Sequence, residues 1–227
     1  MASRGTFSLK RDIVAVCRRL YDRGLIAGPD GNVSVRVAPD RVLVTPAGLS
    51  KVDVQVEDLV ELSLDGRHVR GDRRASSEIL MHLRIYERRP DVQAVVHAHP
   101  PTATGFSVAG ESLAACVLPE VIGQMGSVPL LPYATPGTSE LADSFDPFVE
   151  HHDAFLLANH GATTIGPTLT IAHQRMESLE HSARILLTAR LLGNVNSLTP
   201  AQVETLIAAR QRATPGTLSR MSRSVRA

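Results

Sequence analysis

The chain has 227 residues, enough for one substantial α/β domain whose core folds without covalent staples. A formal charge of +1 and a pI near 7.9 give no electrostatic reason to expect nucleic acid or an anionic membrane as partner. Cys17 and Cys116 make no disulfide framework, no apolar run is long enough to span a bilayer, and MASRGTFSLKR lacks a signal peptide's apolar stretch, so a cytoplasmic protein is expected.

In chain order, Ser8 precedes an amphipathic helix with Leu9, Ile13, Val16, Cys17 and Leu20 on one face, and Gly24 offers its stop. Val33 to Val37 and Arg41 to Thr45 flank Ala38-Pro39-Asp40 as a hairpin, and 59–64 with 68–70 flank Asp65-Gly66 likewise. A helix is predicted from Ser77 to Arg89, closed by Pro90, and Ala94 to His97 reads as an apolar strand. Further strands are predicted at 127–131, 154–158 and 162–165, with a helix over 139–149. The longest helix, 168–192, carries Leu169, Ala172, Met176, Leu179, Ala183 and Leu186 at 3- and 4-residue intervals. Thr199-Pro200 starts a last helix to about Ala213, and the Ser/Arg/Thr-rich segment 214–227 reads as a mobile tail. The pattern predicts a single α/β domain over residues 1–213, with a central, largely antiparallel sheet and helices on both faces.

Lys10 and Lys51 are the only lysines, and neither reads as buried: one lies in a helix start, the other in a loop beside Ser50 and Asp53. Schiff-base chemistry needs a desolvated amine, so a covalent imine mechanism is disfavoured. His97-Ala98-His99 ends an apolar strand. Side chains at i and i+2 leave one face of a strand roughly 6.6 Å apart, and two imidazoles can converge from there on one metal ion. Asn159-His160-Gly161 follows another apolar strand and is the candidate third donor. Ser76-Ser77-Glu78 opens a helix, either as an anion site on free N–H groups or as an N-cap with an acidic first turn. Gly31-Asn32-Val33-Ser34 and Thr45-Pro46-Ala47-Gly48 are turns that let backbone amides approach a ligand, or simply turns. His82 shares a helix face with Glu78, as its partner or as an i,i+4 surface pair. His173, Glu177 and His181 read as a solvated or intersubunit helix face more readily than as a second metal site.

Taken in order, GNVS at 31–34, TPAG at 45–48, SSE at 76–78, HAH at 97–99, PYATPGT at 132–138 and NHG at 159–161 resemble the class II aldolase/adducin family, and most closely its L-fuculose-1-phosphate aldolases. The resemblance covers roughly residues 8 to 210. It implies zinc, or else manganese or cobalt, held by His97, His99 and His160. Glu78 would ligate the resting ion and act as general base. Asn32, Gly48, Ser76 and Ser77 match the family's phosphate pocket. It further implies a homotetramer with active sites between subunits, and retro-aldol cleavage of a phosphorylated ketose or deoxyketose to dihydroxyacetone phosphate and an aldehyde, through a metal-stabilised enediolate. The sequence departs from that pattern at Pro29 and Ala47, where hydroxyl residues are usual, and at Leu118, where the aldolase has a proton-donating tyrosine. Glu120 is the candidate replacement acid. The alternatives are metal-dependent decarboxylation of a hydroxylated, non-phosphorylated acid, aromatic ones included, and a metal-binding or scaffolding module without turnover.

Overall fold

The structure, a computed structural model, describes residues 5–114 and 117–213; the tail at 214–227 and Cys116 lie outside the described residues. Helix α1 (Thr6–Asp22) buries Ile13, Val16, Cys17 and Leu20, the stripe expected from the sequence. Strands β1 (Asn32–Ala38) and β2 (Arg41–Val44) form the first hairpin, and β3 (Val60–Ser63) with β4 (His68–Arg70) the second. Then follow α2 (Ile79–Arg88), β5 (Ala94–Ala98), α3 (Pro101–Val108), α4 (Pro119–Gln124), β6 (Leu130–Leu131) and α5 (Ser139–Asp143). Strands β7 (Ala154–Leu157) and β8 (Gly161–Gly166), and helices α6 (Leu169–Leu191) and α7 (Pro200–Ala213), complete the chain.

The strands make one sheet in the order β4-β3-β2-β1-β5-β8-β7-β6, antiparallel except for the β6–β7 pair. Period-2 alternation sorts its two faces. Ala94, Val96 and Ala98 of β5 join the core built by α1, α3 and α6. Val95 faces the other way, into the core under α2 and α5 with Met81, Ile85, Tyr86 and Phe145. Thr168 caps α6 by accepting the Ile171 N–H at 3.2 Å, a contact that stabilises a helix by about 1 kcal/mol.

Four expectations change. The helix after SSE starts at Ile79 rather than Ser77, because Ser76 Oγ accepts the Glu78 N–H at 3.4 Å and holds Glu78 itself in the capping position. The predicted 127–131 strand shrinks to Leu130–Leu131; Pro129 has no N–H to donate, and Val128 pairs instead with Leu113. The predicted 139–149 helix ends at Asp143, and Pro147 follows within the turns beyond it. Lys51 is only 2% exposed, against the expectation that it is unburied. Helices α3 and α4 have no sequence counterpart: each begins on a proline, a residue that suits a turn and the first helical position equally well.

Candidate metal centre

Neighbouring strands set out the site like rungs. Asn32 of β1 pairs with His97 of β5, which pairs with Thr163 of β8. These three side chains project on the α2 face, so α2 and the Glu78 before it cover them. His99 lies just past β5 and is held by its N–H to Leu25 O at 3.0 Å. His160 sits in the β7–β8 turn, where Asn159 adopts φ 56°, a left-handed conformation that asparagine tolerates better than most residues. Gly161 follows. A Cβ there would lie 2.6 Å from Ala98 O and 2.6 Å from His99 Cδ2, so only glycine lets the two histidine-bearing segments approach.

The three imidazoles meet. Their ring centroids are 4.8 to 5.1 Å apart, and one nitrogen from each lies within 4.8 Å of the others. His97 Nδ1 donates to Ala162 O at 3.0 Å, with Thr163 Oγ1 at 3.2 Å. Its Nε2 therefore carries a lone pair. That lone pair faces His99 Nε2 at 3.1 Å and Glu78 Oε2 at 3.3 Å. Glu78 Oε1 is buried 3.0 Å from His160 Nε2, yet neither it nor His160 Nδ1 has an aligned hydrogen bond. A ring of electron pairs with an orphaned carboxylate oxygen is a poor arrangement for protein alone and a good one for a divalent cation. Tetrahedral donors at about 2.1 Å from an ion stand about 3.4 Å from each other, close to these separations.

Electrostatics agree with that fit. Burial pushes His97 down to about 3 and also lowers His99, so both remain neutral, the form that binds metal. Burial works to raise the Glu78 carboxyl, but His97, His160 and the Asn32 amide together hold it well below the usual carboxylate range. Asn32 Nδ2 donates to Glu78 Oε2 at 2.8 Å.

The proposed anion residues also gather. Pro46 bridges to Ala75, which brings the 45–48 turn beside Ser76 and Ser77. Gly48 at φ 71° has open space where a side chain would stand, Ser76 is buried and Ser77 exposed. The Ala47 N–H is already given to Arg74 O at 2.9 Å. Asn32 is 2% exposed and engaged by Glu78 and His82. Lys51 Nζ donates to Pro29 O at 2.7 Å and Leu49 O at 3.0 Å, tying together the two turns. Burial lowers its pKa, while Cys17, Asp30 and Glu78 favour its charge. With two of its protons given to carbonyls it is a structural cation, so its burial does not revive imine chemistry. Glu120 is exposed in the first turn of α4, and Leu118 half-buried beside it.

Sequence reasoning missed two supports. Glu180, buried on α6, accepts the Thr102 and Ala103 N–H groups at 3.0 and 2.9 Å, which anchors α3 directly behind the HAH segment. Its i,i+4 spacing to Arg184 was the one visible signal, and that pair is formed. Ser34 and Tyr86 lie behind His82, which is fully buried and bonded to Asn32; alternation along β1 and i+4 spacing from His82 place both on that face. His173 is buried, 3.6 Å from Glu177, whereas His181 is exposed, and among the described residues only His97, His99 and His160 form a metal-competent group.

Comparison with known proteins gives consistent findings. Residues 11–187 match the family described as Class II Aldolase and Adducin N-terminal domain. A 3-oxo-tetronate 4-phosphate decarboxylase from Escherichia coli (strain K12) is 32% identical over 79% of this chain and 86% of its own. A 5-deoxy-D-ribulose 1-phosphate aldolase from Bacillus thuringiensis serovar kurstaki is 34% identical over 87% of this chain and 92% of its own. The solved structure of an L-fuculose 1-phosphate aldolase superposes with a TM-score of 0.83 at 31% identity, covering 88% of this chain and 94% of that one.

Proposed function

Because the chain belongs to the class II aldolase and adducin family, whose members include metal-dependent lyases, we propose that it cleaves a carbon–carbon bond beside the ketone of a phosphorylated ketose or deoxyketose. The products are dihydroxyacetone phosphate and an aldehyde. The observation that carries this reading is the convergence of His97, His99 and His160 on one point, with the buried carboxylate of Glu78 facing it. A divalent ion bound there, zinc by its match to three imidazoles, supplies Lewis acidity that polarises the substrate's carbonyl.

The chain's own groups do the rest. Glu78, ionised at rest, takes a proton from solvent once substrate is bound and delivers it to the carbon beside that carbonyl, which protonates the enediolate left by bond cleavage; in the reverse direction it removes that proton. Asn32 fixes the carboxylate by donating to Oε2. Gly48, Ser76 and Ser77 receive the phosphate on amides and hydroxyls, with the Lys51 charge behind their turns. Glu120 takes the departing aldehyde's proton from a neighbouring subunit's site in a homotetramer.

A second reading is favoured by one observation: Glu78 is the acid that faces the point between the histidines, Asp30 touching only the outer Nδ1 of His99 at 3.5 Å, and Leu118 has no proton to give. Decarboxylation of a phosphorylated 3-oxo acid needs only one proton transfer, onto the same enediolate, and the E. coli relative is named for such a reaction. Zinc-loaded protein offered 5-deoxyribulose 1-phosphate, fuculose 1-phosphate and 3-oxo-tetronate 4-phosphate separates the two. Dihydroxyacetone phosphate with an equivalent of aldehyde supports cleavage, and with an equivalent of carbon dioxide supports decarboxylation. Glu78→Gln is expected to keep the metal and lose at least 100-fold in kcat, in line with general acid–base contributions of about 10²–10⁴. A Glu78→Gln protein unchanged in every property would leave the non-catalytic module standing.

A further inference from the structure

Behind Glu78 runs a file of buried polar side chains, of which the proposed chemistry itself uses only Asn32. Asn32 Nδ2 donates to Glu78 Oε2 at 2.8 Å, and His82 Nε2 lies 2.5 Å from Asn32 Oδ1. His82 Nδ1 lies 2.7 Å from Ser34 Oγ, which lies 2.8 Å from the Tyr86 hydroxyl. Asn32 is 2% exposed, Tyr86 1%, and Ser34 and His82 fully buried. Nothing about the fold requires a core to hold so many polar groups, since an unmatched one is destabilising by about 1–3 kcal/mol.

The direction of every bond in the file is forced from one end. A carboxylate only accepts, so the Asn32 atom facing Glu78 is the amide nitrogen. The atom facing His82 is then the carbonyl oxygen, which also only accepts, so His82 Nε2 carries the proton. Burial drives the imidazole pKa down to about 4, which keeps the ring neutral, and Nδ1 accepts from the Ser34 hydroxyl. Ser34 Oγ in turn accepts from Tyr86 O–H. A reversed file would aim the Asn32 carbonyl at the Glu78 carboxylate, two acceptors with no proton between them.

We propose that His82, its tautomer set by Ser34 and Tyr86, is a positioning residue that acts through Asn32 to orient the Glu78 carboxylate toward the three histidines. This rests on the reading of Glu78 as the group that moves the proton. Its geometry follows from local spacing: Glu78, His82 and Tyr86 recur every four residues along the start of α2, and Asn32 and Ser34 recur every second residue along β1.

The test has two arms that fail independently. In zinc-loaded protein carrying ¹⁵N-labelled histidine, the His82 ring, assigned by its disappearance in His82→Gln, is expected as the Nε2–H tautomer at neutral pH. A ring protonated on Nδ1 instead would reverse the file and overturn the proposal whatever the enzyme does. In the kinetic arm, His82→Met removes the donor to Asn32. It is expected to lower kcat by about 10–100-fold, the usual effect of losing a group that orients a site from behind, with KM within about threefold. His82→Gln, whose amide reaches the Nε2 position, is expected to recover most of that loss. Variants with a lower melting temperature but unaltered kcat would make His82 merely structural and sink the idea. A wild-type protein with the expected tautomer and no turnover on any of the phosphorylated substrates would instead overturn the function while leaving the orientation of Glu78 intact.

Discussion

Replacing Gly161 by alanine tests whether the close approach of two strand ends builds the metal site. The added Cβ would sit 2.6 Å from the Ala98 carbonyl oxygen and 2.6 Å from His99 Cδ2, whereas ordinary van der Waals contact begins at 3.4 Å. The β5–β8 end must therefore open by about 0.8 Å, or His99 must swing away. A backbone oxygen inside a sheet cannot yield as a flexible side-chain tip does, so overpacking of about 1–3 kcal/mol is expected. Ligand distances tolerate only about 0.2 Å, so the His99 ring cannot follow that displacement and remain a ligand without strain. Zinc affinity, measured by competition with a chromophoric chelator, is expected to weaken by about 10–100-fold, comparable with losing an outer support of a metal site. Gly105, in α3 with nothing within 4 Å of its hypothetical Cβ, is the control. Gly105→Ala should stabilise by about 0.5–1 kcal/mol and leave zinc binding alone. A Gly161→Ala protein with wild-type zinc affinity and melting temperature would refute the claim that this contact places His99.

Acidification gives a second check. His82 is held at about 4 and His97 at about 3 in the fold, against about 6.5 when unfolded. The unfolded chain thus binds more protons throughout that interval, and stability present above pH 6.5 is lost as pH falls through it. For His82 alone the loss reaches about 3 kcal/mol, so the urea midpoint of the metal-free protein should drop steeply between pH 6.5 and 4, and less steeply in His82→Gln. Lys51→Met leaves Pro29 O and Leu49 O without their donor; a destabilisation of about 1–3 kcal/mol and weaker competition by inorganic phosphate for the site should follow, read by chemical denaturation and by inhibition. Glu180→Gln weakens the anchor at the α3 terminus, and a loss of about 1–2 kcal/mol in the same denaturation assay is expected.

Much of this architecture was legible because periodicity carries it. The hairpins, the apolar β5 and the long α6 follow directly from alternation and from 3- and 4-residue spacing. The pairing of His97 with His99 was legible for the same reason, since i,i+2 on a strand end leaves little choice of face, and the turn after β7 marked His160 as the third candidate. What escaped was decided by tertiary context. Lys51 reads as a loop residue, and only the meeting of two distant turns supplies the carbonyls that take it inside. His82 could equally be a surface partner of Glu78 until β1 is laid beneath α2. Glu180 shows locally only its i,i+4 pair with Arg184, because the amides that it accepts begin at Thr102, on another helix. The short helices α3 and α4 were given no element, since a starting proline marks a turn as readily as a first helical residue.

Asn32, His97 and Thr163 stand on a single rung across β1, β5 and β8. Inserting or deleting one residue within any of those strands would turn that strand's contribution toward α1 and α6 and replace it by a neighbour meant for apolar packing. Changes of chain length are therefore tolerable only in the connections, such as Asp65-Gly66, which join strands remote from that rung. The count of residues through the middle of the sheet is thereby tied to the site, while its margins are free to vary in length.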